Sequence, residues 1–221
     1  VLFIGYGSLA QALVEQVHNE KIHVFSRSKE KVLEKIIDNS NISWIAPENF
    51  KYEKEVWLLL PADGVKPFIE KYKTYFSKET VFYLAATKLM ASDIRELVLN
   101  SQTVVPVKFI TQGEQLKKDR QGLAAVPEEY KSYIKNIETL FKGNIEIINA
   151  NESDVLYMNR EATRMAITLA EEFKREMKGK GFNEKMIDQA VRQIVPGVIN
   201  AYLDGNLGTF GKQIVAERRQ N

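Results

Sequence analysis

The run Gly5-Tyr6-Gly7-Ser8-Leu9-Ala10 limits what this chain can fold into more than any other segment. It follows an apolar stretch, Val1-Leu2-Phe3-Ile4, and opens a segment in which Leu9, Ala12, Leu13 and Val17 share one helical face. A glycine turn at such a strand-to-helix junction has a specific physical use. Gly5 permits the tight turn, and Gly7 leaves bare backbone where a diphosphate must approach within hydrogen-bond distance. Ala10 is small enough for the helix to lie close to the sheet. The helix start then offers unpaired N–H groups and a partial positive charge to an anion. Gly5, Tyr6, Gly7, Ser8, Leu9 and Ala10 are therefore expected to hold the diphosphate of a dinucleotide.

The rest of the first two thirds fits that junction. Strand-like apolar runs recur at 22–25, 42–45, 56–60, 81–85 and 103–109. Helix-period segments separate them, such as Val65, Phe68, Ile69 and Tyr72, or Ile94, Leu97 and Val98 behind a Ser92 cap. Continuous apolar strands alternating with helices predict a parallel sheet covered on both faces. Residues 110–122 are polar and turn-rich and read as a loop at the sheet edge. A strand at 123–126, a helix over 128–141 and a strand at 145–148 follow. Residues 1–149 are thus expected to form an α/β, Rossmann-type, mainly parallel domain with helices on both faces.

Beyond that point the pattern changes. Residues 152–178 contain neither Gly nor Pro, and Val155, Met158, Ala162, Met165, Leu169 and Phe173 recur at spacings of three and four. Gly179-Lys180-Gly181 should end this long helix. A second should run from about Asn183 with Met186, Ile187, Ala190, Val191 and Ile194 on one face, and Pro196-Gly197 should kink or end it. Residues 150–221 are expected to be a small all-α module. Two helices enclose little core by themselves, so a homodimer through these C-terminal helices is expected.

The second strand bears on cofactor choice. It ends in Phe25-Ser26-Arg27-Ser28, followed by Lys29, where NAD-binding proteins usually carry an acid for the ribose hydroxyls. Arg27 can grip a 2′-phosphate in bidentate fashion, and Ser26 and Ser28 can add hydroxyl donors, which points to NADP(H). Ligands of open α/β sheets lie beyond the carboxyl ends of the strands, which places Leu60 and Pro61 beside the cofactor as well. Lys108, the cation among those strand ends, is a candidate to orient or protonate a small-molecule substrate. Asn159 and Thr163, one turn apart at the start of the long helix, are candidates to face the same cleft.

Composition excludes several alternatives. Cysteine is absent, which removes thiolate nucleophiles and cysteine metal sites, and the two histidines, His18 and His23, make a histidine metal site improbable. No metal is expected. A net charge of +2 without a long single-sign block gives no reason to invoke nucleic acid, and no apolar run suits a membrane helix or a signal peptide. A cytoplasmic protein is the expectation.

In these motifs the chain resembles the pyrroline-5-carboxylate reductase family, within the 6-phosphogluconate-dehydrogenase-like group. GYGSLAQAL is similar to the family opening GxGxMAxAL, with Leu9 at the methionine position, and FSRSKEK is similar to NRSxEK. VWLLLPADGV and TVFYLAA resemble the fourth-strand region and the strand before the AAG turn. The resemblance implies NADPH-dependent reduction of a small cyclic imine, as in proline biosynthesis, and a dimer interleaved through the C-terminal helices. It fails where substrate should bind. Near Pro106-Val107-Lys108-Phe109-Ile110-Thr111 the family's MPNTP segment is not reproduced. Asn159-Arg160-Glu161-Ala162-Thr163-Arg164-Met165 stands where the family has SGSGPAY, and Leu156 stands for its preceding threonine. The first functional reading is thus an NADP(H)-dependent oxidoreductase acting on a small imine or carbonyl compound. A second is an NADP(H)-binding member with a regulatory or interaction role and little catalysis. A third is a helical dimerisation protein with a vestigial Rossmann domain.

Overall fold

A parallel six-stranded sheet dominates the first half of the chain in the computed structural model, which describes residues 1–17 and 20–220. Its strands are β1 (Leu2–Ile4), β2 (Ile22–Phe25), β3 (Ile42–Trp44), β4 (Glu55–Leu58), β5 (Val81–Leu84) and β6 (Thr103–Pro106). They lie side by side in the order β3-β2-β1-β4-β5-β6. Each pair is parallel and in register, with Phe3 flanked by Val24 and Trp57. The direction of winding reverses between β1 and β4, which opens a crevice at their carboxyl ends.

Alternation along each strand sends neighbouring side chains to opposite faces and so builds two cores. Phe3 and Trp57 join one core, together with Leu13 of α1 (Ser8–Val14) and Val32 and Ile36 of α2 (Lys29–Ile36). Leu2, Ile4 and Leu58 join the other, under Val65, Phe68 and Ile69 of α3 (Ala62–Tyr72) and Ile94 of α4 (Ser92–Arg95). This is the Rossmann-type α/β arrangement, with helices on both faces.

Several local expectations change. The apolar run 103–109 is two strands, because the path turns at Val107 and β7 (Lys108–Phe109) leaves the main sheet. The Val107 N–H still donates to the Leu84 carbonyl, so the pairing with β5 runs through Pro106, whose missing N–H would face the free edge of the sheet, before the chain departs. β7 pairs antiparallel with β8 (Gly122–Val126), which runs parallel to β9 (Ile145–Asn149), so a second, three-stranded sheet forms. The polar stretch expected as a loop contains a helix, α5 (Gly113–Asp119), whose Gln112 side chain accepts a hydrogen bond from the Gln115 N–H. Its single apolar anchor, Leu116, is too sparse a pattern to read as periodicity. Ser92 does not cap α4: Ala91 takes that position, and the Asp93 carboxylate accepts from the Met90 N–H. The helix expected over 128–141 begins as a 3₁₀ stretch, Glu128–Tyr133, before α6 (Ile134–Phe141).

Contacts divide the chain into two units, Val1–Asn159 and Arg160–Asn221. The division falls inside the long helix α7 (Glu152–Gly179), later than the composition change at 150. The reason is local: Val155 is buried, and Glu152 and Asn159 bond to the first unit. In the second unit α8 (Glu184–Gln189) starts at an Asn183 cap, as the sequence suggests. Pro196 does not end the helix. A π turn over Ala190–Ile194 widens the backbone and carries it into α9 (Val195–Leu203), which removes the clash proline makes with a tight α turn. α10 (Thr209–Gln220) follows, a helix the apolar spacing did not signal.

Candidate functional site

All six carboxyl ends of the main sheet share one edge, and the glycine turn sits on it at the winding reversal. Gly5 has φ +96°, and a Cβ there would lie 2.6 Å from the Leu59 carbonyl oxygen. Only glycine meets both conditions. Gly7 differs: its φ of −79° is ordinary, and a Cβ would meet nothing within 4 Å. The backbone is therefore open to approach beside Gly7, while Ala10 is buried against the core. Tyr6 and Leu9 are half-buried against the same core, and the Gln11 amide ties down the Tyr6 carbonyl.

Two features beside this turn escaped sequence reasoning. The start of α5 packs on the start of α1, so closely that a Cβ on Gly113 would lie 2.7 Å from Ser8 Oγ. Ser8 Oγ donates to Glu114 Oε1 at 2.7 Å, and that bond holds the exposed Glu114 carboxyl below its ordinary range. Residues 106 positions apart gave no local signal for this contact. The second feature is Trp44 at the end of β3, whose indole Nε1 donates to the Ser26 carbonyl at 3.4 Å.

Beyond β2, Ser26 is half-buried, and Arg27 and Ser28 are exposed at the start of α2. Among the described residues no carboxylate forms an ion pair with Arg27. Leu60 is half-buried and Pro61 exposed beyond β4, at the start of α3.

Lys108 is enclosed rather than presented. Its Nζ donates to the carbonyls of Ala86 at 2.8 Å and Leu89 at 2.7 Å, and pairs with Glu152 Oε2 at 3.2 Å. Both Glu152 oxygens also accept from the Ala91 N–H. Burial pushes the Lys108 ammonium down to about 8, against the opposing pull of Glu152 and Asp93. One lysine thus ties β7 to the 86–91 segment beyond β5 and to the start of α7. Asn159 Nδ2 donates to the Phe109 carbonyl at 2.8 Å, next to Lys108 in sequence. Lys108 and Asn159 accordingly belong to one local network in the first unit, whereas Thr163 belongs to the second unit. There Arg164 donates twice to Glu161 Oε2, at 2.9 and 2.7 Å.

His23 lies away from this edge. It pairs with the buried Glu53 at the amino end of the sheet, and His18 lies outside the described residues. Among the described residues no three His, Asp or Glu side chains are grouped as a metal site would need. No helix there is long and apolar enough to cross a membrane.

No protein-family model and no curated protein sequence matches the chain. Solved structures do. A pyrroline-5-carboxylate reductase from Coxiella burnetii is similar over 100% of this chain and 90% of its own, with a TM-score of 0.69 and 15% identity. Pyrroline carboxylate reductase of Plasmodium falciparum, solved with NADP bound, is similar over 96% of this chain and 81% of its own, with a TM-score of 0.67 and 13% identity. An imine reductase from Streptomyces aurantiacus covers 94% of this chain with 79% of its own, at a TM-score of 0.61 and 12% identity. At such identities the shared property is the fold.

Proposed function

We propose that this protein is an NADP(H)-dependent oxidoreductase that reduces a small imine or carbonyl compound, working as a homodimer through its C-terminal helices in the cytoplasm. The observation that carries this reading is the open approach at Gly7, set on the carboxyl edge of the sheet at the winding reversal. The residues present fit the cofactor. Gly5, Tyr6, Gly7, Ser8, Leu9 and Ala10 would face its diphosphate, Ser26, Arg27 and Ser28 its 2′-phosphate, and Leu60 and Pro61 would flank it beyond β4. Glu114 is a discordant charge beside it, and being exposed it can release Ser8 into that contact. The neighbours solved as pyrroline-5-carboxylate and imine reductases support the reaction class.

When bound, the nicotinamide supplies the hydride. The chain's own residues supply position. Lys108, held by three acceptors, fixes the segment beyond β5 and acts as a positioning residue. Asn159 fixes the Phe109 carbonyl from the start of α7. Glycine-lined amides that could hold a substrate carboxylate are replaced by side chains at 159–165, and Arg164 is engaged with Glu161. That replacement favours weak activity on pyrroline-5-carboxylate itself, and it motivates the second reading, a nucleotide-binding regulatory protein.

The test is a fluorescence titration with NADPH and NADH, followed by NADPH consumption with pyrroline-5-carboxylate and other cyclic imines. NADPH is expected to bind more tightly than NADH. Turnover of pyrroline-5-carboxylate is expected below a kcat/KM of about 10⁴ M⁻¹ s⁻¹. Equal dissociation constants overturn the cofactor assignment. Tight NADPH binding with no turnover of any imine or carbonyl selects the regulatory reading.

A further inference from the structure

Arg27 is bracketed by two groups that meet on one indole ring. On one side, Trp44 Nε1 donates to the Ser26 carbonyl. On the other, Lys29 Nζ stands 4.6 Å from the centre of the Trp44 ring. The indole is itself fixed: Trp44 lies opposite Val24 in the β2–β3 pairing, the next N–H, of Ile45, donates to the Val24 carbonyl, and Phe25 packs at 6.1 Å. Trp44 therefore ties down the backbone before Arg27 and the side chain two residues after it. Lys29, like Arg27, is exposed and forms no ion pair among the described residues.

We propose that Lys29, carried on Trp44, is the second cation that with Arg27 distinguishes a 2′-phosphorylated adenosine from an unphosphorylated one. The inference rests on the NADP(H) reading above and assigns two residues that the strand-end pattern does not single out. A phosphate monoester carries close to two negative charges and three acceptor oxygens, which one guanidinium does not fully match. Arg27 offers a planar fork for two oxygens, and an ammonium beside it complements the remaining charge. A lysine with a free four-carbon stem would lose rotamer freedom on binding. Resting on an indole face limits that loss in advance, because the cation is attracted to the ring while its hydrogens still face water. Trp44 also gives the contact a signal of its own. The chain has two tryptophans, and Trp57 is fully buried, so a change in indole emission on phosphate binding reports on Trp44.

The experiment uses the full chain and two probes, adenosine 2′,5′-bisphosphate and 5′-AMP, with binding followed by calorimetry and tryptophan emission. Lys29→Met is expected to weaken the bisphosphate about tenfold while leaving 5′-AMP within about twofold, and Lys29→Arg to restore most of the loss. Trp44→Phe is expected to abolish the emission change and to weaken the bisphosphate less than Lys29→Met does. Since Lys29 is exposed, its variants should keep the parent's unfolding midpoint, which is measured alongside. Equal losses for both probes with Lys29→Met, or none for either, overturn the proposal while the cofactor reading stands. A parent protein that binds neither probe overturns the cofactor reading and this inference with it.

Discussion

The two units of the chain solve the problem of apolar surface in opposite ways. In Val1–Asn159 the sheet and its helices enclose residues such as Phe3, Phe50, Trp57, Phe82 and Phe141 completely. In Arg160–Asn221, Ile187 is the single buried hydrophobic residue among those described, while Met165, Ile167, Leu169, Phe182, Ile194, Tyr202 and Phe210 remain exposed. A sheet with helices on each face finishes its core within one chain. The helices of the second unit do not, and so many exposed apolar side chains are expected to meet a partner. The first unit should therefore behave as a self-sufficient fold, and the second as part of an assembly.

Substitution at the centre of the first core should give the largest effect. Trp57 stacks on Tyr83 at 4.6 Å and meets Phe141 edge-on at 5.2 Å. Trp57→Ala is expected to lower stability by about 3–5 kcal/mol in a denaturant titration, independently of protein concentration. The Trp57 Nε1 has no hydrogen-bond partner among the described residues, so Trp57→Phe should cost much less, because it removes an unsatisfied donor. An equal cost for both variants would show that the first core is not packed as described.

For the second unit the expected change is in mass. Light scattering should return a dimer, and Met165→Asp with Leu169→Asp should convert it towards monomer while ligand-free emission of the buried Trp57 is retained. A monomeric parent at micromolar concentrations would erase the contrast between the units.

Lys108 offers a test by pH. Its folded value lies near 8 against an ordinary 10.5, so between those limits the unfolded chain binds more protons than the folded one. Stability contributed by this group therefore rises as pH climbs from about 8 to 10.5, by at most about 1.4 kcal/mol per pH unit. Lys108→Met should flatten that rise in urea midpoints measured across the window. A parent curve that falls throughout it, unchanged in the variant, would count against the enclosed network with Glu152.

Arg27→Ala should act on one ligand only. Loss of a charge-assisted phosphate contact is expected to remove about 1.5–3 kcal/mol of the preference for NADPH over NADH, with NADH affinity little changed. At the bottom of the scale, Lys174→Ala should leave the unfolding midpoint unchanged within error. Its pair with Asp188 is 2.7 Å long but exposed to water on both sides.

What was legible in the sequence follows from how far apart the causes lie. The first five main strands and the glycine turn are local patterns, and they emerge within a residue or two of their expected bounds. The break at Val107 was hidden because 103–109 is apolar throughout, and periodicity cannot reveal that Lys108 and Phe109 pair with β8 instead of continuing β6. α5 was hidden because a short helix with one apolar anchor has no period. Around the candidate site, Ser26, Arg27 and Ser28 directly follow β2 in sequence, but Trp44 and Glu114 reach Ser26 and Ser8 across 18 and 106 residues. Lys108 was singled out as a cation at a strand end. That its charge would be enclosed by Ala86, Leu89 and Glu152 depended on three separate segments converging.

The π turn before Pro196 also fixes a phase. A π turn holds one residue more than the α turn it replaces, and each residue rotates an α-helix by about 100°. Everything after Ile194 is therefore turned by that angle relative to an uninterrupted continuation of α8, and Val198, Ile199 and Tyr202 point where the additional residue directs them. Deleting one residue between Ala190 and Ile194 would let an ordinary α turn form and keep this apolar set on its present heading, whereas an α turn formed with every residue in place would swing it by about 100°. In that second case the composition of the helix would not change, yet a partner matched to it would meet a different face.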